Sequence, residues 1–264
     1  MGRLLPCAAA VAILTSACAG RRLELPSDPG TALPDYAAIH AEVARACTAV
    51  TTLTAEISIS GSAGGERLRG TIHAGFKRPS SMRLELRVSP FGAPAFVLGA
   101  TAQGATLLFP RNDQVLRDAR SDEILAALTG LALSPTDLQA ILTGCVVAAP
   151  TPTAGRTHAG GWIAIDLRDS VTLYLRRVSD RWRVMAARRG DLRIDYAEWS
   201  ETAAFPSRVL LKATMPVAVD LQAGLAQIET NQPIDDDAFS VRVPSNAESM
   251  TLEQLRQSGP LRER

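Results

Sequence analysis

The chain has 264 residues, with 28 basic and 27 acidic side chains, so its formal net charge is only +1. This balance excludes the electrostatic footprint that a nucleic-acid-binding protein needs, and no nucleic-acid partner is expected. The hydrophobic share of 46% is enough to bury the core of a folded domain.

Residues 1–17 have the order of a secretory signal peptide. Arg3 gives a positive start, an apolar run follows, and the last three residues are small. The apolar run is shorter than the roughly 20 residues that a membrane-spanning helix needs. The segment TSAC resembles the lipobox of bacterial lipoproteins, which implies that Cys18 is lipidated and becomes the mature N-terminus. The alternative is an ordinary exported protein in which Cys18 is incidental.

Residues 18–34 are expected to form a lipidated cysteine followed by a flexible tether rich in Pro and Gly. Two or more acyl chains, such as palmitate, make membrane attachment effectively permanent. Residue 19 is Ala, and the lipoprotein resemblance associates Asp at this position with retention in the inner membrane. The expected location is therefore the outer membrane, on its periplasmic face.

The first predicted elements are a helix over residues 35–48 and a three-stranded meander. Apolar residues recur at helical spacing in the helix, with Asp35 as its candidate cap. The period then changes to two within residues 55–60, 67–76 and 82–88. Such alternation predicts antiparallel strands with one apolar and one polar face.

Short strands and two helices are predicted next. The helices are expected at residues 121–130 and 134–144. Each is expected to begin at a serine cap, Ser121 or Ser134, and to end at a glycine, Gly130 or Gly144. The Pro/Thr-rich segment AAPTPTAGR reads as a linker. The further strands are predicted at 95–101, 105–109, 114–117, 162–167, 171–178, 182–188, 192–199, 208–214 and within 217–230.

About a dozen strands and three helices favour a mostly β fold in one domain, residues 35–245, with a short amphipathic tail at 246–264. A sheet of this size is expected to curl, and the helices are expected to cover its concave apolar face. The predicted architecture is therefore a single curled antiparallel sheet, an incomplete β-barrel, lidded by three helices.

Two cysteines, Cys47 and Cys145, remain in the mature chain besides the lipidation candidate. An even pair in an oxidising compartment favours a disulfide, and the alternative is two small buried thiols. The three histidines are scattered, and none lies at ligand spacing from a cysteine. No metal site and no cofactor are therefore predicted.

The segment RLELRVSPFGAPAFVLGATAQGATLLFP and the helix pair that follows it resemble the LolA/LolB lipoprotein-localisation superfamily, in particular its outer-membrane receptor member, LolB. The final segment NQPIDDDAFSVRVP is similar to the C-terminal strand of the superfamily. The resemblance implies a half-barrel that encloses a cavity for acyl chains. It also implies that Phe91, in the turn Pro90-Phe91-Gly92, protrudes and helps to insert cargo into the membrane; the alternative is that Phe91 packs on the core.

Inward-facing aliphatic positions are the candidates for the cavity lining, because acyl chains offer apolar area and no directional bonds. Alternation alone does not distinguish a hollow barrel from one whose interior is filled by these side chains. The candidate residues are Ile57, Ile59, Leu68, Ile72, Phe76, Met82, Leu84 and Leu86.

The functional hypothesis is an outer-membrane lipoprotein that accepts the acyl chains of lipoproteins from a periplasmic carrier protein and inserts them into the outer membrane. The alternative is a structural or adaptor lipoprotein of the envelope whose core is filled. An enzyme is not expected, because the sequence contains no nucleophile elbow, zinc-protease motif or phosphate-binding loop.

Overall fold

The computed structural model describes residues 22–89, 91–146, 151–199 and 205–258. Within them, fifteen strands form one sheet, in the order β1, β8 to β14, β2 to β7 and β15. The strands are β1 (Thr31–Ala32), β2 (Thr52–Ala63), β3 (Glu66–Lys77), β4 (Ser81–Arg87), β5 (Phe96–Thr101), β6 (Gly104–Phe109), β7 (Gln114–Ala119), β8 (Pro152–His158), β9 (Trp162–Leu167), β10 (Val171–Val178), β11 (Arg181–Arg189), β12 (Leu192–Ala197), β13 (Arg208–Ala213), β14 (Val219–Thr230) and β15 (Glu248–Ser249).

Two antiparallel meanders make up this sheet, and one long pair joins them. Strand β14 pairs with β2 along most of their lengths, so the second half of the chain continues the sheet of the first half. The order begins at β1 and finishes at β15, which do not pair with each other in the described chain. The sheet is therefore an incomplete barrel, as predicted, although β15 pairs with β7 in parallel rather than antiparallel orientation.

Four helices accompany the sheet in the described residues: α1 (Tyr36–Thr48), α2 (Ser121–Thr129), α3 (Pro135–Leu142) and α4 (Leu252–Ser258). Ser134 caps α3 as predicted, in a reciprocal capping box with Asp137. Ser121 is not the cap of α2, because Arg120 occupies that position in an extended conformation. Asp122 and Glu123 instead stabilise the N-terminal turn of α2 through their charge.

The Pro/Thr-rich segment that reads as a linker contains the first five residues of strand β8. It lies between β1 and β9, and Gly155 is its one buried residue. A Cβ atom at Gly155 would lie 2.2 Å from the Cβ of Tyr36 in α1, so the glycine lets α1 pack directly on the strand. Since this contact uses a residue without a side chain, no apolar alternation marks the strand in the sequence.

Both ends of the described chain pack against the domain. Residues 22–34 were expected in the tether, yet Arg22 pairs with Asp195 at 3.3 Å and Asp220 at 2.6 Å, and Thr31–Ala32 forms β1. In the expected tail, β15 joins the sheet and α4 packs on α2 with Leu255 fully buried. The fourth helix is thus a part of the fold that the predicted boundary at residue 245 leaves out.

The segment NQPIDDDAFSVRVP forms no strand; its regular part is a 3₁₀ turn at Asp236–Phe239. Phe239 is 2% exposed and packs over Gly75 and Gly99. A side chain at Gly99 would collide with the backbone of Phe239. The segment therefore attaches by one aromatic anchor rather than by a hydrogen-bonded ladder, which is why its strand prediction is wrong.

The two ends of the sheet differ in their connections. One end of the sheet carries the turns at residues 64–65, 88–95, 110–113, 190–191 and 214–218, and we call it the open end. The opposite end of the sheet is the closed end. At the closed end, a disulfide joins Cys47, in the last turn of α1, to Cys145 after α3, with their Cα atoms 5.4 Å apart. This bond ties the first helix of the domain to the end of the helix pair.

Candidate functional site

A cavity of about 940 Å³ lies between the sheet and the helix pair α2–α3. Its volume is within the range of small-molecule binding sites. Its wall is dominated by aliphatic side chains, and exposed polar residues lie among them at the open end. The described lining residues are Ile59, Arg67, Leu68, Arg69, Ile72, Leu84, Leu86, Val88, Ala95, Phe96, Phe109, Arg111, Asn112, Gln114, Leu125, Leu128, Thr129, Leu131, Leu133, Leu138, Leu211, Leu221 and Met250.

Five of the eight residues proposed for the lining do line the cavity: Ile59, Leu68, Ile72, Leu84 and Leu86. The other three, Ile57, Phe76 and Met82, do not. Phe76 and Met82 are cross-strand neighbours near the closed end and are both completely buried. Ile57 is buried between its neighbours Ile72 and Leu225. The assignment of these three residues to the cavity is therefore corrected.

Sequence reasoning missed the other half of the wall. Leucines of α2, α3 and the segment between them cover the cavity, and Leu211 and Leu221 reach it from β13 and β14. The spacing of Leu125 and Leu128 places both on one face of α2, a signal that the sequence contains. Met250 comes from the C-terminal segment, for which the sequence gives no comparable signal.

The turn that contains Phe91 stands at the rim of the cavity, between the lining residues Val88 and Ala95. Phe91 is 86% exposed, and Pro90 lies outside the described residues. Two guanidinium groups hold the turn: Arg87 Nη1 donates to the Gly92 carbonyl over 3.1 Å, and Arg111 Nη2 donates to the Ala93 carbonyl over 3.0 Å. The φ of Gly92 is 98°, a conformation that suits glycine.

A second exposed apolar residue, Met215, stands on the β13–β14 turn at the same end, with 70% of its surface exposed. The Asp191 carboxylate accepts hydrogen bonds from the Thr214 N–H, from the Met215 N–H over 2.7 Å and from the Thr214 hydroxyl over 2.9 Å. These bonds, those to the Thr214 backbone first, lower the pKa of Asp191. The turn is thus fixed at its base while its tip stays in solvent.

The described chain exposes three large hydrophobic residues, Val88, Phe91 and Met215, and all three lie at the open end. Single exposed apolar residues are ordinary on protein surfaces. Here all three lie at the same end as the apolar cavity, and Val88 is itself a lining residue.

The closed end has a different chemistry. Three arginine–tryptophan pairs lie at its strand ends: Arg176 over Trp162 at 5.3 Å, Arg177 over Trp182 at 5.6 Å and Arg183 over Trp199 at 4.9 Å, each measured from guanidinium carbon to ring centroid. Such contacts cover the apolar ring faces with cationic groups. Beneath them, burial raises the pKa of Tyr196 far above its ordinary value, so this residue is a neutral member of the core.

Among the described residues, no group of three or more His, Cys, Asp or Glu side chains is arranged to hold a metal ion. Likewise, none of the helices in the described part of the chain has the length and apolar character needed to span a membrane. Cys18, the lipidation candidate, lies outside the described residues.

No protein-family model and no curated protein matches the sequence. Solved structures resemble the fold. A DUF1329 family protein from Desulfovibrio piger superposes with a TM-score of 0.52 at 10% identity, over 77% of this chain and 96% of that one. The domain of a putative outer membrane lipoprotein-sorting protein from Vibrio parahaemolyticus gives 0.50 at 8% identity, over 76% and 94%. At these identities the likeness concerns the fold alone, which this chain shares with the two proteins over about three quarters of its length.

Proposed function

We propose that this chain is an envelope lipoprotein that binds acyl chains in its cavity, accepts lipoproteins from a periplasmic carrier and releases them into the outer membrane. The observation that carries the proposal is the junction of an aliphatic cavity with exposed apolar residues at one end of the sheet. A structural lipoprotein with a filled core would have no use for either feature.

Apolar burial drives chain binding, at about 0.8 kcal/mol for each methylene group removed from water. The same free energy of burial opposes release, because an acyl chain that crosses water loses this stabilisation before it reaches the bilayer. Val88 and Phe91 at the cavity rim shorten that path. If they enter the bilayer surface, the acyl chain crosses a shorter distance in water between cavity and membrane.

Entry of an acyl chain needs one of the two helices that cover the cavity to move, and we assign this movement to α2 rather than α3. Helix α3 is held at its start, where the Thr136 hydroxyl donates to the Pro79 carbonyl over 2.5 Å and Asp137 pairs with Arg189 at 3.0 Å. Its far end leads to the disulfide at Cys145. Helix α2 packs on α4, a short terminal helix, and covers the cavity with Leu125 and Leu128. Displacement of α2 therefore disturbs fewer directional bonds.

The test is a transfer assay with the chain carrying Cys18→Ser, so that no lipid anchor of its own competes for the cavity. The protein is incubated with a periplasmic carrier loaded with a lipoprotein, and the cargo is followed by size-exclusion chromatography. We expect the cargo to move to this chain and then to added phospholipid vesicles. If the cargo stays on the carrier at every ratio of this protein to the carrier, the acceptor role is ruled out.

A further inference from the structure

Arg22 attaches the start of the described chain to the sheet. Its Nη1 lies 3.3 Å from the Asp195 carboxylate, and its Nη2 lies 2.6 Å from that of Asp220. Asp195 is completely buried and also pairs with Arg193 at 2.7 Å, and the Arg193 guanidinium donates to the Leu23 carbonyl. We call this set of contacts the N-terminal clamp. Because one guanidinium bridges carboxylates on two different strands, the clamp fixes where the chain meets the sheet.

The N-terminal clamp lies on the outer face of the sheet, beside the open end. Asp220 is exposed, whereas the next residue, Leu221, lines the cavity on the inner face. Asp220 and Arg193 are each the second residue of a strand that follows an open-end turn, and both pair with Lys212 between them. Asp195 is the fourth residue of its strand. At about 3.3 Å per residue, the groups of the clamp lie within roughly 10 Å of the strand ends.

From the clamp, the chain runs toward the closed end. Asp28 Oδ1 lies 3.0 Å from His158 Nδ1. His158 is the cross-strand partner of Trp162, which belongs to the closed end. The segment from Arg22 to Asp28 therefore passes from the open end to the closed end. The residues that lead back to Cys18 consequently join the domain at its open end.

This attachment limits the distance between Cys18 and the open end. Cys18 precedes Arg22 by four residues, which span at most about 14 Å. Without the clamp, the next strand is β1, whose first residue, Thr31, follows Cys18 by thirteen residues. Thirteen residues span up to about 45 Å, which is enough to let the domain turn in any direction above a membrane.

The open end also presents the residues that suit contact with a bilayer. Phe91 and Met215 are exposed there, and the turn that carries Met215 directly precedes β14, the strand on which Asp220 binds Arg22. The attachment of the N-terminal segment and the exposed apolar residues thus share one end of the molecule. Acyl chains on Cys18 that are embedded in a bilayer would bring this end to the bilayer surface.

We propose that the N-terminal clamp orients the protein so that its open end faces the membrane in which its own lipidated Cys18 is embedded. The partner of the open end is therefore the lipid surface of the inner leaflet of the outer membrane. This inference rests on the proposed function, because it requires a lipidated Cys18, and it adds the orientation from which cargo is released. Arg22 acts as a positioning residue that does not touch the cargo.

The experiment measures how close each end of the sheet comes to the membrane. The full-length lipoprotein, acylated on Cys18, is reconstituted into vesicles of phosphatidylethanolamine and phosphatidylglycerol that contain a lipid with a nitroxide on its headgroup. A fluorophore is attached through Met215→Cys at the open end or through Ala102→Cys, an exposed position of the β5–β6 turn at the closed end. Cys47 and Cys145 do not react while they are bonded to each other. We expect strong quenching of the label at residue 215 and weak quenching of the label at residue 102.

Arg22→Gln is expected to weaken the quenching of the label at residue 215. Loss of the clamp lengthens the tether from four to thirteen residues, and the effective concentration of a tethered group falls with about the −3/2 power of tether length. The quenching constant should therefore fall roughly sixfold. Twelve Gly/Ser residues inserted between Ala19 and Gly20 should cause a similar loss. This insertion leaves every described contact in place, so it gives an answer even if Arg22→Gln destabilises the fold.

The matched control carries the same twelve residues after Ser27, an exposed position on the other side of the clamp. It keeps the distance from Cys18 to Arg22 and should retain the quenching of the original protein. Equal quenching of the two labels, or no loss in either Arg22→Gln or the insertion before Arg22, would overturn the clamp and leave acyl-chain binding intact. If mass spectrometry finds no acyl groups on Cys18, the anchor itself is wrong, and the lipoprotein part of the proposed function falls with this inference.

Discussion

The open and closed ends of the sheet use the same residue types in opposite ways. At the closed end, arginines stack on tryptophans, Phe76 and Met82 fill the interior, and a disulfide joins α1 to the segment after α3. At the open end, the side chains of Arg67 and Arg69 are exposed, and Phe91 stands in solvent. The difference teaches that one end of the half-barrel provides stability, which lets the other end remain unfilled.

The largest expected effect concerns the disulfide of the closed end. It connects residues 98 positions apart, and closing a loop of that size stabilises a fold by about 4 to 5 kcal/mol in the chain-entropy model. We expect Cys47→Ala/Cys145→Ala to lower the free energy of unfolding by about 4 kcal/mol. Urea denaturation measures the change, with Cys18→Ser in both proteins as the common background.

The bond itself is tested by mass spectrometry. The native protein should gain the mass of alkylation on these two cysteines only after reduction. Labelling of Cys47 and Cys145 without a reductant, together with an unchanged urea midpoint in the double variant, would show two free thiols.

The second prediction compares packing at the two ends. Phe76→Ala should lower the free energy of unfolding by about 3 to 5 kcal/mol, because it opens a void in a filled core. Leu68→Ala at the cavity wall should cost about 2 kcal/mol or less, because Leu68 already lacks partners on its cavity side. Urea denaturation of both variants gives the comparison. Equal losses would mean that the interior near Leu68 is as filled as that near Phe76.

The third prediction isolates the rim of the open end. Phe91→Glu should leave acyl-chain binding unchanged, because Phe91 lies outside the cavity lining. Release of bound cargo into vesicles should fall roughly tenfold, because a carboxylate resists entry into the bilayer. Phe91→Leu, which stays apolar, is the control and should release normally. An equal loss of binding and release in Phe91→Glu would indicate a residue of the core instead.

The smallest expected effect is the pH dependence of the turn that carries Met215. Native hydrogen bonds lower the pKa of Asp191, so the stabilisation is present above about pH 4 and is lost as the pH falls through the lowered native pKa. Asp191→Ala should therefore unfold at a slightly lower temperature than wild type at neutral pH. The difference in unfolding temperature between the two proteins should disappear at acidic pH.

Asp191→Asn serves as its control, since it keeps an acceptor oxygen and removes the charge. It should retain part of the stability without the acid-dependent loss. Melting curves between neutral and strongly acidic pH measure both variants. If the melting temperatures of wild type and Asp191→Ala differ by the same amount in acid as at neutral pH, the carboxylate does not hold the turn.

The sequence was sufficient for the parts that depend on periodicity. Alternation in β2, β3 and β4 identified which residues face inward, and the number of predicted strands led to the curled sheet. Phe76 and Leu68 have the same parity on β3, yet one is in the filled core and the other lines the cavity. Alternation gives both residues the same inward direction and does not distinguish the filled part of the interior from the cavity.

Other parts of the fold leave too weak a pattern in the sequence to be predicted. Strand β8 packs through Gly155, and Phe239 packs over Gly99, so both contacts depend on the absence of a side chain on one partner. The composition of the residues near Arg22 is that of a linker and predicts a tether. Their attachment depends on two aspartates about 170 to 200 positions away, which local patterns do not connect.

The packing of α4 on α2 has a consequence for any attempt to shorten the chain. Leu255 of α4 is completely buried, and Met250, just before this helix, reaches the cavity wall. A truncation after residue 245 would strip away part of that wall together with the helix that braces its cover.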